Sequence, residues 1–168
     1  MKPLTVAIIG CGRIGSLLEE DPLRGKPCTH AGAFDALSQT KIVAGCDTNP
    51  DRLKRFGKRW KVNELFSDYK EMIHKVNPDI VSIATWTHLH SEMVKISARL
   101  GVKGIFCEKP IATNTVQGKA MVRACDNKNI PLVINHERRW DPYYRQAKKL
   151  IEKGKIGELR TIVGNSLS

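Results

Sequence analysis

Short apolar runs alternate with longer amphipathic segments along almost the whole chain. The first run, residues 4–9, leads into glycines, and the pattern of residues 13–20 behind them predicts a helix. Runs rich in Val and Ile predict further strands at residues 41–46, near 65–66, and at 79–85, 102–107 and 131–135. Helical periodicity predicts helices at residues 30–37, 50–60, 69–75, 88–100 and 115–127.

This alternation of strands and helices is typical of an α/β protein. Because the strand runs are nearly continuous in Val and Ile, both faces of the sheet are expected to be covered. We therefore expect a doubly wound parallel sheet of the Rossmann type, in which ligands bind at the carboxyl ends of the strands. Polar groups follow five of the predicted strands, at residues 10–15, 47, 85–90, 108–110 and 135–139.

The first of these groups is a G-x-G-x-x-G motif between a predicted strand and a predicted helix. In this context the glycines allow a tight turn, a close approach of the backbone to a pyrophosphate, and close packing of helix on strand. The free N–H groups at a helix N-terminus favour the phosphate charge. The candidate cofactor-binding residues of the motif are Gly10, Gly12, Arg13, Ile14 and Gly15. The alternative is a plain tight turn without a ligand.

Asp47 follows the second predicted strand, where a carboxylate can accept hydrogen bonds from the adenosine ribose and would repel a 2′-phosphate. It lies 32 residues after Gly15, whereas the usual separation is about 20. Residues 21–29 contain two prolines and a glycine and cannot continue a helix, and without these nine residues the separation is 23. We therefore expect NAD rather than NADP, although Arg52 and Arg55 could approach a 2′-phosphate. The alternative for Asp47 is a turn or helix-capping residue.

Glu108, Lys109 and Pro110 follow the fifth predicted strand. A lysine at this position offers a fixed cation that stabilises a developing alkoxide on a substrate. The alternative is a surface Lys–Glu pair ahead of a proline turn. Asn135 and Arg139 follow the last strand and can bind polyol hydroxyls or phosphate, or belong to a solvated loop.

His88 and His90 are two residues apart on a predicted helix and therefore point away from each other. No metal site is predicted, and His90 can instead face the cofactor.

Composition and charge change this picture little. The chain has 168 residues, enough for one well-cored domain, and a net charge of +11 that is spread over segments with helical periodicity. This spread predicts solvated helix faces rather than a nucleic-acid site, and the charge suits anionic cofactors. No membrane segment or signal peptide is expected, which predicts a cytoplasmic protein. Five cysteines, without C-x-x-C spacing, disfavour disulfides and zinc.

In this order the motifs resemble those of the Gfo/Idh/MocA family, the glucose–fructose oxidoreductase and inositol dehydrogenase family. The resemblance covers the whole chain and is carried by the glycine motif, Thr29-His30-Ala31, Cys46-Asp47, Glu108-Lys109-Pro110, and residues 135–142 and 153–157. It implies an NAD(P)-dependent oxidoreductase that transfers hydride to or from a sugar, polyol or related hydroxyl compound.

The resemblance also implies roles for single residues. Lys109 would be catalytic, holding the reacting hydroxyl and the nicotinamide ribose, with Glu108 beside it. Thr85 and His90 would line the nicotinamide, together with Trp86, which stands where the family usually has a proline. Asn135 and Arg139 would contribute to substrate binding.

The resemblance further implies a division of the chain. Residues 1–135 would form the dinucleotide-binding Rossmann domain, and residues 136–168 a linker, a helix and the first strand, at 159–165, of an incomplete second α/β domain. In the family that second domain supplies the catalytic histidine and usually the oligomer interface, so the complete enzyme would be a homo-oligomer and this chain alone inactive. The alternative is a non-catalytic NAD(H)-binding or interaction protein.

Overall fold

The computed structural model of the protein describes residues 2–165. The chain divides into two compact units, Met1–Asn135 and His136–Ser168. The first unit holds a six-stranded sheet in the order β3-β2-β1-β4-β5-β6, in which every pair of neighbours is parallel. The strands are β1 (Leu4–Ile9), β2 (Thr40–Cys46), β3 (Glu64–Phe66), β4 (Ile80–Ile83), β5 (Gly104–Glu108) and β6 (Leu132–Asn135).

Helices cover both faces of this sheet. They are α1 (His30–Asp35), α2 (Pro50–Trp60), α3 (Tyr69–Val76), α4 (Thr87–Arg99) and α5 (Thr115–Asp126). Side chains of β1 alternate between two cores, as strand geometry requires. Val6 and Ile8 pack with residues of α1 and α2, whereas Ala7 and Ile9 pack with residues of α3, α4 and α5. The predicted doubly wound Rossmann fold is confirmed.

The strand order reverses at β1, which pairs with β2 on one side and with β4 on the other. In open α/β sheets this switch point opens a crevice at the carboxyl ends of the strands. The six strands predicted between residues 4 and 135 are confirmed, and so are the predicted helices from residue 30 to residue 127, with ends that shift by at most two residues.

The prediction of a helix over residues 13–20 is wrong. These residues form turns that end in a short 3₁₀ helix, Leu17–Glu20. In a continuous helix the carbonyl groups of Ile14 and Gly15 would accept from residues 18 and 19, but they accept instead from the N–H groups of His30 and Ala31, each at 3.0 Å. The helix is therefore interrupted after the glycine motif and resumes as α1.

The second unit contains a 3₁₀ helix, Glu137–Arg139, and helix α6 (Pro142–Glu152). The strand predicted at residues 159–165 is absent from the structure, where the segment has no regular secondary structure and its side chains are exposed. A strand requires a neighbour for its backbone groups, and the described part of this unit, residues 136–165, provides none.

Among residues 2–165, no helix combines the length and the apolar character that crossing a lipid bilayer requires.

Candidate active site

A cleft of about 400 Å³ lies at the carboxyl ends of β1, β2, β3 and β4. Its lining combines backbone of the glycine motif with polar and apolar side chains. The lining residues are Ile9, Gly10, Gly12, Arg13, Ile14, Cys46, Asp47, Thr48, Arg52, Ser67, Tyr69, Ala84, Thr85, Trp86, Leu89 and Met93. Most of the predicted cofactor residues therefore lie together at one cleft.

Two glycines of the motif are required by the protein's own packing. Gly10 has φ +93°, and a Cβ there would lie 2.6 Å from the carbonyl oxygen of Ala84. A Cβ at Gly15 would overlap the carbonyl oxygen of Gly10. Both positions therefore need glycine, with or without a ligand.

Gly12 is different, because no protein atom excludes a side chain there. The nearest atom that a Cβ would meet is Nη1 of Arg52, at 3.7 Å. Gly12 lines the cleft, so its missing side chain leaves room for a group that approaches the backbone from the cleft. This is the fit that a pyrophosphate requires of the second glycine in the motif.

Asp47 lies at the end of β2 and lines the cleft. Its Oδ2 accepts a hydrogen bond from the backbone N–H of Cys11, and its Oδ1 accepts one from the N–H of Asn49, both at 2.8 Å. The cap of α2 is Asn49, whose side chain accepts from the N–H of Arg52. Asp47 thus fixes the glycine motif and the turn into α2, and each of its oxygens retains a lone pair for a further donor.

Arg52 and Arg55 have different surroundings. Arg52 lines the cleft beside Gly12. Arg55 forms an ion pair with Glu20 and lies outside the cleft lining. Of these two predicted phosphate contacts, the structure brings only Arg52 to the cleft.

Thr85 and Trp86 form the turn between β4 and α4, at the other side of the cleft. Trp86 is 76% exposed. His90 is fully buried and does not line the cleft; its Nδ1 lies 3.0 Å from the carbonyl oxygen of Pro110 and its Nε2 lies 3.2 Å from that of Thr85. Contact between His90 and a cofactor stays a prediction.

Glu108, at the end of β5, is buried and accepts three hydrogen bonds. They come from Nε2 of His30 at 3.1 Å, from Nδ2 of Asn135 at 2.6 Å, and from the backbone N–H of Lys109 at 3.0 Å. Burial alone would raise the pKa of Glu108, but these bonds, led by the one from His30, outweigh it and hold the pKa below its usual value. Glu108 is therefore an ionised carboxylate at neutral pH.

Lys109 is exposed and bonds to Glu108 only through its backbone. The alternative of a surface Lys–Glu pair is not observed, since Glu108 is buried and no ion pair of residues 2–165 joins the two side chains. The amide of Asn135 donates to Glu108. Arg139 lies in the second unit, exposed, at the end of the 3₁₀ helix Glu137–Arg139.

Sequence reasoning missed His30 and Ser82 as members of this site. The carboxylate of Glu108 can only accept, so Nε2 of His30 carries a proton, and Nδ1 of the same ring lies 2.8 Å from the hydroxyl of Ser82. A serine within the otherwise apolar run of β4 was a usable signal, because a buried hydroxyl needs a partner.

The chain is similar to known oxidoreductases. A sequence model of the Gfo/Idh/MocA oxidoreductase family, NAD-binding Rossmann fold, matches residues 4–136. D-apiose dehydrogenase from Paraburkholderia graminis is 30% identical over 157 residues, which are 94% of this chain and 38% of that protein.

Two solved structures agree with this match. An oxidoreductase from Agrobacterium radiobacter in complex with NAD+, L-tartaric acid and magnesium has a TM-score of 0.79 and 31% identity, over 94% of this chain and 42% of that one. Scyllo-inositol dehydrogenase from Lactobacillus casei, with bound NAD(H) and scyllo-inositol, has a TM-score of 0.81 and 26% identity, over 94% of this chain and 43% of that one. The chain spans between 38% and 43% of the length of these relatives. The predicted resemblance is confirmed: the chain belongs to the Gfo/Idh/MocA oxidoreductase family, and residues 4–136 match that family's NAD-binding Rossmann domain.

Proposed function

We propose that the cleft holds NAD with its pyrophosphate on the glycine motif and its adenosine ribose on Asp47. The observation that carries this proposal is the open space in front of Gly12, where the protein itself does not require a glycine. Backbone N–H groups there can approach a phosphate more closely than any side chain would permit. The lone pairs of Asp47 that remain free accept the ribose hydroxyls.

The nicotinamide end of the cofactor then lies toward Thr85 and Trp86, at the opposite side of the cleft. When bound, NAD supplies the ring that accepts or gives the hydride. The exposed amine of Lys109, one strand further along the sheet, binds the substrate hydroxyl and the nicotinamide ribose, and it stabilises the negative charge that develops on the hydroxyl oxygen. Asn135 contributes by holding Glu108, and Arg139 is a further candidate for binding the substrate.

We propose a sugar or polyol as the substrate class, because the similar proteins are named for D-apiose and for inositols. The reaction is oxidation or reduction at a CH–OH carbon in an enzyme that includes this chain. The names of these relatives do not favour the alternative of a non-catalytic interaction protein. A cytoplasmic location fits the five free cysteines, four of them buried.

The test uses a variant whose own fold has room for the new group. Gly12→Ala places a methyl group in open space, so thermal unfolding should be unchanged, but the methyl group excludes the pyrophosphate. We expect the affinity for NADH, measured by its fluorescence, to fall about tenfold or more through loss of charge-assisted hydrogen bonds.

The matched control is Gly25→Ala, since a Cβ at Gly25 meets no atom within 4 Å and Gly25 lies in the interrupting segment away from the cleft lining. It should bind NADH like the parent. If Gly12→Ala binds NADH with the affinity of the parent, the pyrophosphate does not bind at the glycine motif.

A further inference from the structure

Two buried histidines contact the residues on either side of Lys109. His30 is 2% exposed and lies on α1, on one face of the sheet, whereas His90 is fully buried and lies on α4, on the other face. Neither lines the cleft, so the proposed cofactor contacts do not use them. A buried imidazole with a hydrogen-bond partner at each nitrogen is held in one orientation.

His30 acts on the residue before Lys109. Its Nε2–H donates to Oε1 of Glu108, which also accepts from Asn135. The other oxygen, Oε2, accepts the backbone N–H of Lys109. The orientation of one carboxylate therefore determines where the backbone of Lys109 lies, and His30 fixes that orientation from the first face of the sheet.

His90 acts on the residue after Lys109. Its Nδ1 faces the carbonyl oxygen of Pro110, and its Nε2 faces the carbonyl oxygen of Thr85. The turn that contains Thr85 is also held by backbone hydrogen bonds. The N–H of Ala84 donates to the carbonyl oxygen of Ile9, and the N–H of Leu89 donates to that of Trp86. A neutral imidazole has one N–H and both facing atoms only accept, so His90 donates to one of the two carbonyl groups. The one that would hold the segment around Lys109 is that of Pro110.

We propose that His30 and His90 are positioning residues that hold the Lys109 segment from the two faces of the sheet, through Glu108 and through Pro110. The exposed side chain of Lys109 has four rotatable bonds, so its amine is placed reproducibly only if its backbone is fixed. This inference rests on the proposed contact of Lys109 with the nicotinamide end of the cofactor.

The test compares the affinity of the chain for two probes, ADP and NADH. ADP has the adenosine and both phosphates but lacks the nicotinamide riboside, so the ratio of the ADP to the NADH dissociation constant reports contacts at the nicotinamide end alone. Lys109→Met is the reference variant, and we expect it to lower this ratio about tenfold or more, the effect of one lost hydrogen bond from a charged donor.

Substitution of each histidine by asparagine or glutamine then distinguishes the contact made by Nδ1 from the contact made by Nε2. The asparagine amide lies near the position of Nδ1, whereas the glutamine amide reaches that of Nε2. His30→Gln keeps the bond to Glu108 and His30→Asn loses it. At His90 the order is reversed, because asparagine keeps the contact with Pro110 and glutamine loses it.

We expect His30→Gln and His90→Asn to keep the parent ratio, and His30→Asn and His90→Gln to lower it about threefold. A purely structural role would not produce opposite amide preferences at the two positions. Equal ratios within each pair, while Lys109→Met lowers the ratio, would overturn the inference and leave the proposed function intact. An unchanged ratio in Lys109→Met would instead overturn the role of Lys109 and the inference with it. Circular dichroism verifies folding, and a pair that does not fold leaves the decision to the other pair.

Discussion

A single carboxylate, that of Asp47, joins two backbone segments of the nucleotide site. Its oxygens accept backbone N–H groups from the glycine motif and from the turn into α2. Asp47 also lines the cleft, where we propose that the free lone pairs of its oxygens bind the ribose. Replacing Asp47 therefore removes two internal hydrogen bonds as well as a ligand contact, and affinity has to be compared between two cofactors to separate these effects.

We expect Asp47→Ala to weaken NADH binding about tenfold and NADPH binding less, because the lost carboxylate also repelled the 2′-phosphate. Fluorescence titration with both cofactors measures the two changes. In the Asp47→Ala background, Arg52→Ala should weaken NADPH binding further. Arg55→Ala is the matched control, since Arg55 pairs with Glu20 outside the cleft lining. If Asp47→Ala weakens the affinity for NADH and for NADPH equally, Asp47 does not bind the ribose.

Sequence patterns were sufficient to locate Asp47 and the glycine motif, because strand ends and glycine spacing are local properties. They were not sufficient to find the internal partners of Asp47 or the burial of His90, which depend on distant parts of the chain. His30 lies 78 residues before its partner Glu108. Such a pair becomes visible only when α1 and β5 are packed together.

At the level of elements, α1 behaves as the resumed half of an interrupted helix. Its first two N–H groups donate to Ile14 and Gly15, as residues within one helix would. The helix prediction for residues 13–20 is wrong because it assigned these carbonyl groups to the nearest residues in the chain. The six strands of the sheet and its later helices were predictable, since each buries an apolar run of its own.

Residues 18–29 are therefore removable in principle, because their deletion places His30 four positions after Ile14. We expect this deletion to give one continuous helix, with cooperative thermal unfolding, higher helical content by circular dichroism, and NADH affinity within about threefold of the parent, since a shorter loop costs less closure entropy. Deletion of residues 19–29 is the control, because it leaves one extra residue and shifts His30 out of helical register. A control as stable as the first deletion would contradict the interrupted-helix interpretation.

The molecule as a whole has its candidate site at one end of the sheet and a separate stabilising cluster at the other. Asp79, just before β4, accepts from the N–H and the hydroxyl of Thr5 at the start of β1, each at 2.8 Å. Nζ of Lys103, just before β5, lies 2.7 Å from its Oδ1. One carboxylate thus joins the amino-terminal ends of three neighbouring strands, at the end of the sheet opposite the cleft.

This separation predicts a stability effect that leaves binding unchanged. The contact with Lys103, followed by the bonds from Thr5, lowers the pKa of Asp79 from 3.8 to about 2. A carboxyl group whose pKa is lower in the folded state stabilises the fold above its unfolded pKa, and this contribution is lost as the pH falls through the folded value. We expect Asp79→Asn to lower the melting temperature by about 2–4 °C at pH 7 and to leave the NADH affinity unchanged.

The difference in melting temperature between parent and Asp79→Asn should narrow between pH 4 and pH 2, as the parent carboxylate becomes protonated. Calorimetry over this range measures it, and the subtraction removes the contributions of Glu19 and Glu108, whose pKa values are also lowered. Lys103→Gln removes the cation instead of the carboxylate. Its difference in melting temperature from the parent should therefore also become smaller between pH 4 and pH 2. A difference that stays constant down to pH 2 would show that the charge of Asp79 contributes nothing, and that its hydrogen bonds to Thr5 alone join the strands.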